Sequence, residues 1–199
     1  MKHILLSLLI AGLSACSSKP VDMNYYLLSP AQAVMPSNQI NKTHQVKVNK
    51  IVLADYLKQS SIVMQINDNQ MYFSRQNLWA ESLENAISNA LLRELNQSST
   101  TQFNGHQIAD NKSIRAVLTL HIEHFHATDK STVISSGRYW LLEPNSQQTI
   151  EKTFYFSLPL EHDGFSHAIS QQRLLLNLLA QDIQQQLDNV TKTTEKHAI

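Results

Sequence analysis

A single cysteine among 199 residues excludes an intrachain disulfide and any metal site built from cysteine alone. Four glycines leave no glycine-rich loop to cradle a phosphate. Neither sign of charge is in surplus, with 16 Lys+Arg against 16 Asp+Glu. That balance argues against a general nucleic-acid binder, which needs a basic excess to neutralise phosphates. It argues equally against a polyacidic disordered chain. No apolar run approaches the roughly 20 residues of a membrane-spanning helix. There is no solenoid-period repeat, no low-complexity segment and no serine in a Gly-x-Ser-x-Gly elbow. What remains is a 42% hydrophobic chain of single-domain length, long enough to bury a core without metal or disulfide staples.

The strongest apolar run is short and lies at the start. Met1-Lys2-His3 precede a stretch of about ten apolar and small residues, Ile4 to Leu13, which ends in Ser14-Ala15-Cys16. A basic start, an apolar middle and small residues at the end make a secretory signal pattern. Leu13-Ser14-Ala15-Cys16 resembles the bacterial lipobox, in which the thiol takes up diacylglycerol and the chain is then cut before the cysteine. The sequence therefore predicts a signal peptide over 1–15, Cys16 as lipidation site and first mature residue, and a polar tether over 16–23. Ser17 in second place is the pattern of transfer to the outer membrane. Loss of Lys2 with the leader leaves 15 basic against 16 acidic residues, so the mature domain stays nearly neutral. Two or three acyl chains, palmitate-like in class, anchor stably where one binds only marginally. The only group expected on the protein is thus covalent: diacylglycerol and an N-acyl chain on Cys16, with no other cofactor.

The mature chain reads as one periplasmic domain over 24–188. Residues 24–28 favour a strand, and 29–44, with Pro30 and Pro36, a loop. Alternation places Val46 and Val48 on one face of a strand over 45–53. Residues 54–57 make a turn or short helical step. Strands over 61–66 and 70–74 flank a turn at Asn67-Asp68-Asn69. Apolar positions from Trp79 through Leu83, Ile87 and Leu91 to Leu95 recur at three and four, which predicts a core-facing helix over 78–95 with Asn77 as cap. Phe103 marks a brief extended piece. Residues 113–126 alternate, with Leu118, Leu120 and Ile122 on one face, and strands over 131–142 and 148–158 follow. Asp163 is placed to cap a last amphipathic helix reaching Leu187, and 189–199 reads as a flexible tail. The expected architecture is α+β: a mostly antiparallel sheet with two main helices packed on one face, a two-layer sandwich.

Few residues gather in patterns that carry chemistry. His121, Glu123, His124 and His126 are the densest set of potential metal ligands. Their spacing matches neither a His-Glu-x-x-His helix nor a zinc finger. On a regular strand His124 and His126 share a face and His121 points the other way. The set reads as polar residues on the solvated face opposite Leu118, Leu120 and Ile122, with no metal site assigned. His162 and His167 flank the start of the last helix without a nucleophile. No catalytic residue is assigned, and the chain is not expected to be an enzyme. Trp79 falls in the helical stripe and reads as core. Of Tyr25 and Tyr26, on opposite strand faces, one is expected at the surface or a subunit contact.

Short segments in order carry a family resemblance. Cys16-Ser17-Ser18, Asn24-Tyr25-Tyr26-x-Leu28, Asp55-Tyr56-Leu57 after an alternating strand, Asn77-Leu78-Trp79-Ala80-x-x-Leu83, and Val133 to Gly137 with Trp140-Leu141-Leu142 are similar to the PqiC-type lipoproteins, auxiliary components of ABC-type and MCE-type transport systems. The likeness runs from the lipobox to Leu187. Ala54 and Ser82 depart from it, each standing where proline is common.

The resemblance implies a non-catalytic lipoprotein on the inner leaflet of the outer membrane. It would work with a periplasm-spanning PqiB-like MCE-domain protein that carries lipid, in a system associated with envelope integrity. It also implies possible self-association into a ring. Tyr25, Tyr26, Asp55, Tyr56 and Trp79 are the candidate partner contacts. A lipid-binding chaperone is the alternative, and an apolar cavity of a few hundred Å³ is what would distinguish it.

Overall fold

A computed structural model describes residues 21–29, 44–97, 101–105, 114–144 and 148–197, with side chains through 189. Cys16 and the leader lie outside the described residues. Among the described residues, eight strands and two helices follow in the order β1 Asn24–Tyr26, β2 His44–Leu53, a 3-10 turn Asp55–Leu57, β3 Ser61–Asn67, β4 Gln70–Trp79, α1 Leu83–Gln97, β5 Thr101–Asn104, β6 Ile114–Thr128, β7 Thr132–Leu142, β8 Thr149–Pro159 and α2 Phe165–His197.

The sheet is organised by β6, the longest strand. On one side it pairs antiparallel with β7, which pairs antiparallel with the edge strand β8. On its other side β6 serves two partners in succession. Its first half runs parallel to β2, from Gln45↔Ile114 to Leu53↔Ile122, and its end runs parallel to β3 at Met64↔Ala127. The sheet thus forks. One arm ends in β5, beside β2, and the other continues through the β3–β4 hairpin to β1. The hairpin turn is closed by Asn67, whose Oδ1 accepts the Asn69 N–H at 3.0 Å. Antiparallel pairings hold most of the paired residues, as expected for this α+β class. The meander, however, covers only β6 to β8, because β2 and β3 each run parallel to β6 and do not pair with each other.

Both helices cover one face of the open sheet. α1 supplies Ile87, Ala90, Leu91 and Leu95, and α2 supplies Leu176, Leu179 and Ile183, all buried against Val46, Leu118, Leu120, Ile122 and Tyr139. The two helices also meet through polar groups. Glu94, buried in α1, accepts hydrogen bonds from Arg173 and, at 2.7 Å, from Asn177 of α2. Gln184 donates to the Leu95 carbonyl at 2.8 Å, satisfying one of the orphan carbonyls at the end of α1. Under α2, Asp182 takes the Tyr139 hydroxyl at 2.8 Å and the Lys152 ammonium at 2.6 Å.

Three boundaries differ from the sequence reading. First, β4 runs on through Trp79, and α1 starts only at Leu83. Asn77 is not a helix cap: it faces Asn24 across the β1–β4 pair, and its backbone N–H goes to Ser74 Oγ at 3.0 Å. Trp79 N–H is taken by the Ser60 carbonyl and Ala80 N–H by the Tyr26 carbonyl. With those groups held by the sheet, the first helical bond runs from Ala86 N–H to the Ser82 carbonyl. Second, α2 takes its first bond at the Gly164 carbonyl, from Ala168 N–H. Gly164, at φ +109°, therefore holds the cap place that the sequence reading gives to Asp163. Third, α2 continues to His197, beyond the expected stop at Leu187, since no proline or glycine interrupts the polar residues that follow.

Candidate functional site

The candidate contact residues fall into two groups. Tyr25, Tyr26 and Trp79 meet where β1 joins the end of β4, in the register Tyr25↔Leu78 and Tyr26↔Trp79. Alternation separates the two tyrosines. Tyr26 turns inward, packs its ring 6.0 Å from Phe165 at the start of α2, and donates its hydroxyl to Asn77 Oδ1 at 3.2 Å. Tyr25 is 64% exposed. Trp79 is buried in the core, as its apolar bulk suggests, but from a strand and not from a helix.

Asp55 and Tyr56 form the second group, in the 3-10 turn after β2. Asp55 projects into solvent and pairs with Lys58 one turn on. The Lys58 hydrogen bond and charge hold its carboxyl below the ordinary value of 3.8. Tyr56 folds back over β6, where its hydroxyl donates to the Glu123 carbonyl at 2.9 Å. Burial pushes its phenol pKa upward, so it remains a neutral donor. The Glu123 carbonyl is free to accept because β6 carries a bulge between Ile122 and His124.

That bulge corrects the reading of the histidines. Ile122 lies opposite Gly137, whereas His124 lies opposite the next residue of β7, Ser136, so Glu123 is the extra residue. The alternation is reset, and His121, His124 and His126 all come to the face away from the helices; His121 does not point the other way. They are not all solvated there. His126 is fully buried, 6.0 Å from the Tyr56 ring and 5.6 Å from the His124 ring. Its Nδ1 meets the Ala127 carbonyl at 3.0 Å, and its Nε2 is buried without a hydrogen-bond partner. Desolvation lowers its pKa, offset in part by the Ala127 hydrogen bond and reinforced by His124. His124 Nδ1 is 2.8 Å from Ser136 Oγ, and Glu123 is engaged by Arg138 at 2.9 Å. Among the described residues, no three His, Cys, Asp or Glu side chains converge in a group that could hold a metal ion.

One feature has no counterpart in the sequence reading. A groove of about 380 Å³ opens between β3, the β6–β7 turn and the start of α2. Val63, Ala127, Leu160, Phe165 and Ala168 form its apolar walls, with Asp129 and His162 among its polar lining residues. Its parts come from segments about a hundred residues apart, none of which carries a local motif; the one sequence mark is Gly164, whose left-handed backbone turns the chain into α2 beside it. Among the described residues, no helix is long and apolar enough to cross a membrane.

Comparison with known proteins gives a consistent neighbourhood. The model of a family described as the ABC-type transport auxiliary lipoprotein component matches residues 25–184. The intermembrane transport lipoprotein PqiC of Escherichia coli K12 is 28% identical over 171 residues, which is 85% of this chain and 88% of that protein. PqiC of Shigella flexneri matches to the same extent. Among solved structures, an uncharacterized protein superposes with a TM-score of 0.71 at 21% identity, covering 83% of this chain and 99% of its own. A Xanthomonas campestris protein superposes with a TM-score of 0.63 at 11% identity, over 87% and 97% of the two chains. The two structures share the fold.

Proposed function

Because the chain belongs to the family of ABC-type transport auxiliary lipoprotein components, we propose that it is the outer-membrane-anchored lipoprotein of an intermembrane transport system. In this reading Cys16 carries the diacylglycerol and N-acyl chains. The folded domain hangs on the periplasmic face of the outer membrane and docks a PqiB-like, periplasm-spanning MCE-domain protein that moves lipid, in support of envelope integrity. The observation that carries the reading is the match to PqiC along 85% of the chain. A lipobox cysteine followed by a short polar segment, just ahead of the matched region, supports the anchor. The role is docking and not catalysis. Of the candidate contacts, Tyr25 and Asp55 are the ones exposed at the surface, while Tyr26, Tyr56 and Trp79 are packed beneath them.

Gentle detergent extraction of the tagged full chain is expected to recover an MCE-domain protein, and Cys16→Ala is expected to release the chain from the membrane fraction. Recovery of no MCE protein, with the chain intact and membrane-bound, would overturn the docking role.

The groove beside α2 favours a second reading, in which the domain itself holds a lipid chain. Its volume lies within the roughly 300–1,000 Å³ of ligand sites, and its walls are apolar. Native mass spectrometry of the purified domain distinguishes the two, since a chaperone carries a bound lipid and a pure docking subunit does not.

A further inference from the structure

The segment that leads into the fold is apolar on one side, and on that side it is bare. Val21, Met23, Tyr25 and Leu27 are 61%, 46%, 64% and 48% exposed. Single exposed apolar residues are ordinary and need no explanation. Here they occupy four successive alternate positions around the extended strand β1, where alternate residues share a face. The intervening positions behave differently. Asp22 and Asn24 are polar, Tyr26 packs on Phe165, and Leu28 is buried in the core. A folding constraint accounts for Tyr26 and Leu28; Asp22 and Asn24 are exposed as polar residues, and the exposure of the four apolar positions is left unexplained. Among the described residues β1 is moreover an edge strand, paired with β4 alone, so no described strand shields its free side.

Chain length says what lies opposite. Four residues, Ser17 to Pro20, lie between Cys16 and Val21. Even fully extended, the five steps from Cys16 to Val21 span at most about 18 Å, at roughly 3.3–3.6 Å per residue. If Cys16 is held at the headgroup level by its acyl chains, the stripe cannot leave the neighbourhood of that leaflet. An apolar series that includes an amphipathic tyrosine suits the boundary between headgroups and acyl chains.

We infer that Val21, Met23, Tyr25 and Leu27 form a lipid-facing stripe, which seats against the leaflet that holds the anchor and fixes the orientation of the domain on it. This rests on lipidation of Cys16. It gives the domain a two-point attachment, one covalent and one by surface contact. Tyr25 then faces lipid, and partner contact falls to surfaces further from the membrane.

The test uses the full chain, extracted from membranes and reconstituted in vesicles of phosphatidylethanolamine and phosphatidylglycerol with brominated acyl chains. A fluorophore is placed at Tyr25→Cys or, as the distal control, at Thr153→Cys on β8. Quenching several-fold stronger at position 25 than at 153, and lost when Val21→Glu and Met23→Glu are added, is the expected result. Equal quenching at the two positions, with Cys16 shown by mass spectrometry to be acylated, overturns the stripe and leaves the anchor standing. An unmodified Cys16 overturns the anchor itself. Strong quenching at position 25 that is unchanged by Val21→Glu and Met23→Glu shows that the stripe does not seat the domain and overturns the lipid assignment.

Discussion

Gly137 lies so close to the backbone of His121 that a Cβ placed on it would stand 2.0 Å from the His121 carbonyl oxygen. The obstacle is main chain of the neighbouring strand, which cannot rotate away as a side chain can. The contact sits at the step where β6 bulges past β7, so the glycine and the bulge depend on one another. Gly137→Ala is therefore expected to destabilise the domain by about 3 kcal/mol, the upper range for forcing an extra group into a packed interior. A lowered urea midpoint measures it. A variant as stable as the parent would show that the two strands part without cost.

Glu94 and Arg173 join the helices with little solvent around them, at 8% and 21% side-chain exposure. Removing one member of such a pair strands the other charge. Glu94→Ala is expected to cost about 3–5 kcal/mol. The double replacement Glu94→Met with Arg173→Leu is expected to recover most of that loss, because an apolar pair of similar volume escapes the desolvation cost. Comparing the urea midpoints of the single and double variants checks both statements. Additive losses would mean that the two side chains do not act as a pair.

His126 makes stability depend on pH in a defined direction. Its folded pKa lies below the ordinary value of 6.5, so the unfolded chain takes up its proton first as pH falls. Its contribution is complete above about pH 6.5 and is lost as pH drops toward the folded value. The titratable rings that face it are His124 from β6 and Tyr56 from the 3-10 turn. His126→Phe is expected to lose less stability than the parent between about pH 7.5 and about pH 5. Denaturation at the two pH values reads the difference, and parallel losses would remove His126 as the cause.

The parts of this fold legible in its sequence are those fixed by local period. The stripe Leu83, Ile87, Leu91, Leu95 and the alternation of residues 114–122 each name an element and its buried face. Trp79 misleads for the same reason. It stands four residues before Leu83 and so continues a helical spacing, yet its backbone is held by Ser60 and the β1–β4 pair. Period also says nothing of partners, which is why the parallel runs of β2 and β3 along β6 go unseen. A bulge leaves no mark in residue type, so the histidines read as an unbroken alternation. The candidate contacts are visible as a set, but their division between buried and presented residues depends on tertiary neighbours. The groove is assembled from distant segments and has no local signal.

The double pairing of β6 also sets an order in time. Up to the end of α1, the chain can close the β3–β4 hairpin, whose turn is local, but β2 has neither of its strand partners, since both follow residue 100. Such separations slow folding, because long loops must close before the contacts that reward them form. β6 is therefore the keystone of assembly: the hairpin and β2 have no strand in common until its 15 residues arrive, and both arms of the sheet then settle onto it.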